Sequence, residues 1–182
     1  MENSTIGVTG KVRFCYVNVF EPTAMNEGDT PKYNICILIP KDDAKPLDKI
    51  NKAIEAAKQA GKAKLADKNG KIPSNLKLPL RDGDDERGDD PAFEGMYFIN
   101  ANSQRTPSIV DKELNPIMEK EEFYSGCYGR ASINFYAFNV SSKGIAAGLN
   151  NLQKLEDGEM LAGGSTAEED FGGENEWDDE LL

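Results

Sequence analysis

The residues of this chain best suited to chemistry are aromatics and cations interleaved along strand-like segments. Lys11, Arg13 and Tyr16 share one segment, and Lys32 and Tyr33 open the next. Tyr97 and Arg105 flank a third, while Tyr124, Tyr128, Arg130 and Tyr136 mark a fourth. Cations in a groove hold phosphates, and an aromatic face stacks on a base of any identity. Together they make a surface for single-stranded nucleic acid. Any one of these aromatics fits an apolar core better than a surface; the argument rests on the joint pattern.

A second basic stretch, residues 41–81, holds 11 basic against 5 acidic residues. Its helical lysines read as a solvated face. Lys77 and Arg81, beside strand and turn residues, are the phosphate contacts selected from it. Next comes DGDDERGDD (Asp82–Asp90), with six acids and one Arg. Asp82, Asp84, Asp85, Asp89 and Asp90 could hold a divalent cation in a metal-dependent nuclease. EF-hand spacing fails there, because Gly88 falls one position late, and a solvated loop is the stronger reading.

The chain has no histidine, which removes the commonest general base and the commonest transition-metal ligand. Neither a G-x-x-x-x-G-K-[ST] nor a G-x-S-x-G motif occurs. Cys15, Cys36 and Cys127 are far apart in apolar runs and read as small buried hydrophobes rather than a disulfide frame or a metal site. These features argue for a binding protein, not an enzyme, with no metal and no cofactor.

Charge divides the chain. The net charge is −11, from 21 basic and 32 acidic residues. No Lys or Arg follows Lys154, and eleven acids lie from Glu156 to Glu180, so residues 1–155 are neutral. Setting aside the −5 of Asp82–Asp90 leaves about +5 for a basic groove. The expected organisation is one domain over residues 1–155 and a disordered acidic tail over 156–182, because the tail lacks the apolar surface to offset its ordering entropy. Phe171, Trp177, Leu181 and Leu182 punctuate it, with Asp178, Asp179 and Glu180 between, as in a partner-docking segment or a nucleic-acid decoy. A solubilising tail is the plain alternative. No run is long enough to span a membrane, and Met1–Gly10 has neither a basic start nor an apolar core, so a cytoplasmic protein is expected.

The elements that must position these residues are mainly strands. Val8–Phe20, Lys32–Pro40, Gly95–Ser103, Ser108–Asp111 and Gly126–Val140 read as five strands. On the first, Val12, Phe14, Tyr16 and Phe20 are expected to share a face. On the last, Ala131, Ile133, Phe135 and Ala137 oppose Arg130, Ser132, Asn134, Tyr136 and Phe138. Asp42–Leu65 changes to helical period, with Asp43 as N-cap and Gly61 near its close. Ile145, Leu149, Leu152 and Leu155 have near-helical spacing, leaving a short helix or a final strand open. Gly126 and Gly129 suggest bulges that bend a sheet. A small, curved five-stranded barrel fits this set better than a sandwich.

Three stretches, NANSQRTPSIVD (Asn100–Asp111), YSGCYGRASINFYAFN (Tyr124–Asn139) and KGIAAGLNNLQKLEDGEMLAGG (Lys143–Gly164), resemble a family of tailed-phage single-stranded-DNA-binding proteins. That family is similar in plan to podophage replication proteins, which pair an OB-fold with an acidic tail. The resemblance implies a mainly β fold: a five-stranded OB-fold barrel with one inserted helix and a disordered acidic C-terminal tail. It implies coating of single-stranded DNA in replication and recombination, in the cytoplasm of a bacterial host. Arg105 and Arg130 would lie near DNA, with Tyr124, Tyr128 and Tyr136 as aromatic candidates. Replication or recombination proteins would dock on the tail, and a homodimer is compatible with this plan. Tails of this kind often end in an aromatic; this one ends Glu180-Leu181-Leu182. A nuclease and an acidic DNA mimic stand as alternatives.

Overall fold

Side-chain alternation builds the interior of a closed barrel. The computed structural model describes residues 5–24, 27–140 and 142–161. Five of its strands form the barrel: β2 (Val12–Thr23), β3 (Lys32–Pro40), β5 (Met96–Ser103), β7 (Tyr128–Val140) and β8 (Ser142–Glu156). β2 pairs with β3, β3 with β5, β5 with β8 in parallel, β8 with β7, and β7 with β2. This is the OB-fold arrangement, a barrel closed between β2 and β7 through Val12–Gly129 and Arg13–Tyr128. Short strands add to its rim: β1 (Ile6–Val8) on β7, β4 (Leu80–Asp82) on β5, and β6 (Ser108–Val110) on β8.

Five strands are present as expected, but one differs. Ser108–Val110 is a peripheral strand, and the open segment after Lys143 supplies the fifth barrel strand. Its near-helical spacing has a physical cause. Ile133 faces Leu149 and Ser132 faces Asn151, so one extra residue bulges out between them. The bulge resets parity, and Leu149 and Leu152 both turn inward. Ile35, Ile37 and Ile39 of β3, Ile99 and Ala101 of β5, and Ala131, Ile133 and Phe135 of β7 fill the same interior.

β2 breaks its own alternation. Tyr16 has φ of 47°, and the register with β3 shifts between Cys15 and Asn18. Val12 and Phe14 point into the barrel and Cys15 into a second, outer cluster, but past Tyr16 the inner face passes to Val17 and Val19. The expectation that Tyr16 shares a face with Val12 and Phe14 is corrected: those two are buried, and Tyr16 is 44 % exposed.

The helical segment divides into α1 (Ala44–Ala60) and α2 (Lys62–Leu65), with Gly61 between. Ile50, Ala53, Ile54 and Ala57 of α1 are buried toward the barrel, and Asp43 is the N-cap position without a side-chain cap bond. The acidic stretch is not a plain solvated loop. Asp82 caps α3 (Gly83–Glu86) by accepting from the N–H groups of Asp84 and Asp85, and Asp90 caps a 3-10 turn (Pro91–Phe93). This insertion drops Phe93 onto the outside of the barrel, where it packs with Cys15, Cys36, Leu38 and Phe98. Burying each such phenylalanine contributes about 1.5–3 kcal/mol.

Candidate nucleic-acid interface

The outer face of β2, β3 and β5 is apolar and covered at one end, polar and open at the other. Leu38 lies opposite Phe98, and both are buried under the insertion. Two residues along, Cys36 lies opposite Asn100, which is exposed. Two further, Asn34 lies between Asn18 of β2 and Asn102 of β5. Lys32 opposite Thr23 closes the open end.

Tyr16 stands at the junction of the two halves. Its hydroxyl donates to Asp90 Oδ2 at 3.2 Å, and its ring lies 6.2 Å from that of Phe93. Burial, then the bond to Asp90, raises its pKa, so the phenol stays neutral. Beside it Arg87 covers the rings of Phe93 and Phe98 at 5.7 Å. At the far end, Tyr33 accepts from Thr106 Oγ1 at 2.9 Å, and exposed Arg105 follows Ser103.

A second group lies beside the covered half. Tyr128 pairs with Arg13, and Lys11 and Arg13 both approach its ring at 5.3 Å. Residues 156–161 strap across this group. Lys11 pairs with Glu156, and Arg13 donates to the carbonyls of Gly126 at 3.1 Å and Glu159 at 2.8 Å. Tyr124 donates to Asp157 Oδ1 at 3.0 Å and accepts from the Gly158 N–H at 3.1 Å. Lys154 pairs with Asp157 at 2.6 Å. That pairing, with Tyr124, holds the Asp157 carboxyl below its ordinary pKa. Leu161 packs against the outer cluster. Residues 156–161, assigned from sequence to the tail, are therefore part of the folded body.

Glycine permits the strap. Gly126 has φ of 118°, and a Cβ there would run into Glu159 O; one on Gly158 would run into Gly126 O. The two segments meet backbone against backbone.

The remaining sequence candidates are scattered. Arg130 donates to Gln153 on the outside of β7, and Tyr136 lies on the same strand, 42 % exposed. Tyr97 sits at the start of β5 with Lys41 over its ring at 5.4 Å. Arg81 is paired with Glu86 at 3.1 Å, and Lys77 bridges to Gly144 at the start of β8. The expectations for Phe171, Trp177, Asp178, Asp179, Glu180, Leu181 and Leu182 lie outside the described residues.

Three carboxylates of the nuclease alternative, Asp82, Asp84 and Asp90, have structural partners. Lys41 bridges Asp82 at 2.6 Å and Asp84 at 2.7 Å, which lowers both carboxyl pKa values, and Asp90 accepts from the Ala92 N–H. Among the described residues, no group of three or more acids and cysteines is placed to hold a metal ion.

The sequence reading did not single out Asn18, Asn34, Asn100, Asn102 or Arg87, which the structure places on or beside this outer face. Asn100 and Asn102, two apart on one strand, carry a legible signal of a shared face. Asn18 and Asn34 join them only through cross-strand register.

Comparison with known proteins gives consistent results. A family model described as the ssDNA-binding protein of Enterobacter phage Enc34 matches residues 5–182. A putative protein p50 of Acyrthosiphon pisum secondary endosymbiont phage 1 is 29% identical over 160 residues, covering 86% of each chain. The single-stranded DNA-binding protein of bacteriophage Enc34, solved in complex with ssDNA, superposes with a TM-score of 0.74 at 28% identity, covering 89% of this chain and 95% of that one. Gp2.5, a single-stranded DNA-binding protein of bacteriophage T7, shares the fold with a TM-score of 0.64 at 12% identity, covering 88% of this chain and 97% of that one.

Proposed function

This chain belongs to the phage Enc34 ssDNA-binding protein family, and from that premise we propose that it coats single-stranded DNA without sequence preference during phage DNA replication and recombination. It is a phage single-stranded-DNA-binding protein, and the Enc34 protein that it matches is a binding protein rather than an enzyme. Among the described residues no helix is long and apolar enough to cross a membrane, and the site of action in this reading is the host cytoplasm.

In this reading the strand runs over the outer face of β2, β3 and β5. Tyr16 offers a stacking platform there, Lys32 and Arg105 hold phosphates, and Lys11, Arg13 and Tyr128 extend the path beside the strap. The observation that carries the reading is the position of Leu161. It packs on the outer cluster at the edge of the open face, so residues 162–182, with eight acids and no Lys or Arg, begin beside the proposed DNA path. A charged segment tethered so close reaches an effective concentration of about millimolar order. It competes with DNA for the same cations. When DNA displaces it, Phe171, Trp177, Leu181 and Leu182 become available to replication or recombination proteins.

The test titrates full-length protein and a truncation after Leu161 against one fluorescent single-stranded oligonucleotide at two salt concentrations, with a duplex of the same length as control. Binding should favour the single strand and weaken with salt, with a log–log slope of about −0.7 per phosphate neutralised. Truncation should tighten binding at low salt, and the gain should shrink as salt screens the competition. Superimposable curves for the two proteins at both salts would overturn the competition. Absence of single-strand binding by either protein would overturn the function.

A further inference from the structure

We propose that Asn18, Asn34, Asn100 and Asn102 form an amide row that hydrogen-bonds base edges, so that the protein selects unpaired bases without selecting a sequence. This rests on the reading above and deepens it: it names what distinguishes a single strand from a duplex at this surface.

Register brings the row together. Asn18 pairs with Asn34 across β2 and β3, Asn34 with Asn102 across β3 and β5, and Asn100 lies two residues before Asn102 on the same face. The parity is that of Cys36 and Leu38, which face outward, and not of Ile35 and Ile37 in the barrel. The row therefore floors the open half of the face, with Tyr16 at one end and Lys32 at the other. Beyond Asn102 the next strand presents Gly148. A Cβ there would come within 2.6 Å of Asn134 Oδ1, so the amide of Asn134 lies over the bare backbone and prolongs the polar band onto β7.

The row is half held and half free. Asn18 donates to Asn34 Oδ1 at 3.0 Å and to Tyr16 O at 3.3 Å; Asn34 donates to Thr23 Oγ1 at 3.0 Å. Among the described residues, the side-chain amides of Asn100 and Asn102 make no hydrogen bond. Asparagine is depleted in strands, where threonine solvates a sheet face at no cost to propensity. Four asparagines on one patch of three strands therefore need a reason other than solubility.

An amide supplies it. Each carries two donors and one acceptor with two lone pairs. A freely turning amide meets either the acceptor or the donor groups of any base. In a duplex the Watson–Crick edges are already paired and face inward, so the row meets those edges only on a single strand. Because amides are neutral, this contribution does not release counterions and adds nothing to the salt slope, unlike Lys32 or Arg105.

The experiment uses full-length protein and two labelled probes of equal length, oligothymidine and an abasic strand that keeps the phosphates and lacks the bases. Asn100→Ala/Asn102→Ala should weaken oligothymidine binding about tenfold, leave abasic binding within about twofold, and leave the salt slope unchanged. Asn102→Thr, which suits a strand, provides the same comparison should the double variant fail to fold, and should show a smaller loss confined to oligothymidine. Equal losses on both probes, or none on either, would overturn the amide row. Wild-type protein that binds both probes equally would also overturn it while leaving the single-strand function standing. Wild-type protein that binds neither would bring down both.

Discussion

Arg13 on β2 donates from Nη2 to the carbonyl of Glu159 at 2.8 Å, joining residues 146 positions apart. With Lys11–Glu156 and Tyr124–Asp157, this bond fixes the root of the acidic segment on the barrel. Two truncations should therefore behave differently. Cutting after Leu161 should leave thermal stability unchanged. Cutting after Leu155 removes the strap and the Leu161 cover of the outer cluster, and should cost about 1–3 kcal/mol. Denaturant titration of the two fragments checks this.

Tyr16 and Tyr124 should part company on substitution. Tyr16 is exposed and its ring stands at the open face. Tyr16→Ala should keep the fold and weaken single-strand binding by about 1–3 kcal/mol, the contribution of one stacked base. Tyr124 packs on the core and anchors the strap, so Tyr124→Ala should lower the melting temperature. Fluorescence titration and thermal melting on both variants separate platform from scaffold. Normal binding by a folded Tyr16→Ala would remove it from the DNA path.

Gly126→Ala should destabilise by about 1–3 kcal/mol. Its φ of 118° is strained for any L residue, and the added Cβ meets backbone rather than a yielding side chain. Gly148→Ala should be milder, because the obstacle is the end of the Asn134 side chain. Chemical denaturation of the pair gives the contrast directly.

The Lys41 bridge sets a pH dependence. Its hydrogen bonds lower the pKa of Asp82 and Asp84 in the folded state. A lowered carboxylate pKa stabilises fully above the unfolded value of about 3.9 and stops doing so as pH falls through the folded value. Lys41→Met should therefore melt below wild type at neutral pH, and the gap should close as the pH falls below about 4. Melting temperatures measured from pH 7 down to pH 2 test it; a gap independent of pH would mean that Lys41 acts through packing on Tyr97.

The segments with strong two-residue periodicity were legible from sequence. In β3 and β7, alternating Ile, Ala and Phe against polar neighbours fix the inner face, because a one-residue slip would expose the whole apolar set. The aromatic and basic residues were also visible as candidates, and the resemblance carried by Asn100–Asp111 and Tyr124–Asn139 pointed to the right family. What the sequence could not decide was everything that depends on parity resets and on distant partners. The bulges at Tyr16 and Asn150 reverse which side chains face inward, and a bulge has no fixed local signature. The caps at Asp82 and Asp90 turned an acidic run into a folded cover for Phe93, since short-range hydrogen bonds compete with solvation only when the chain around them is placed. Four asparagines scattered from position 18 to 102 became one surface only when strand pairing set β2, β3 and β5 side by side. Cross-strand neighbours are set by the closed barrel and not by distance along the chain.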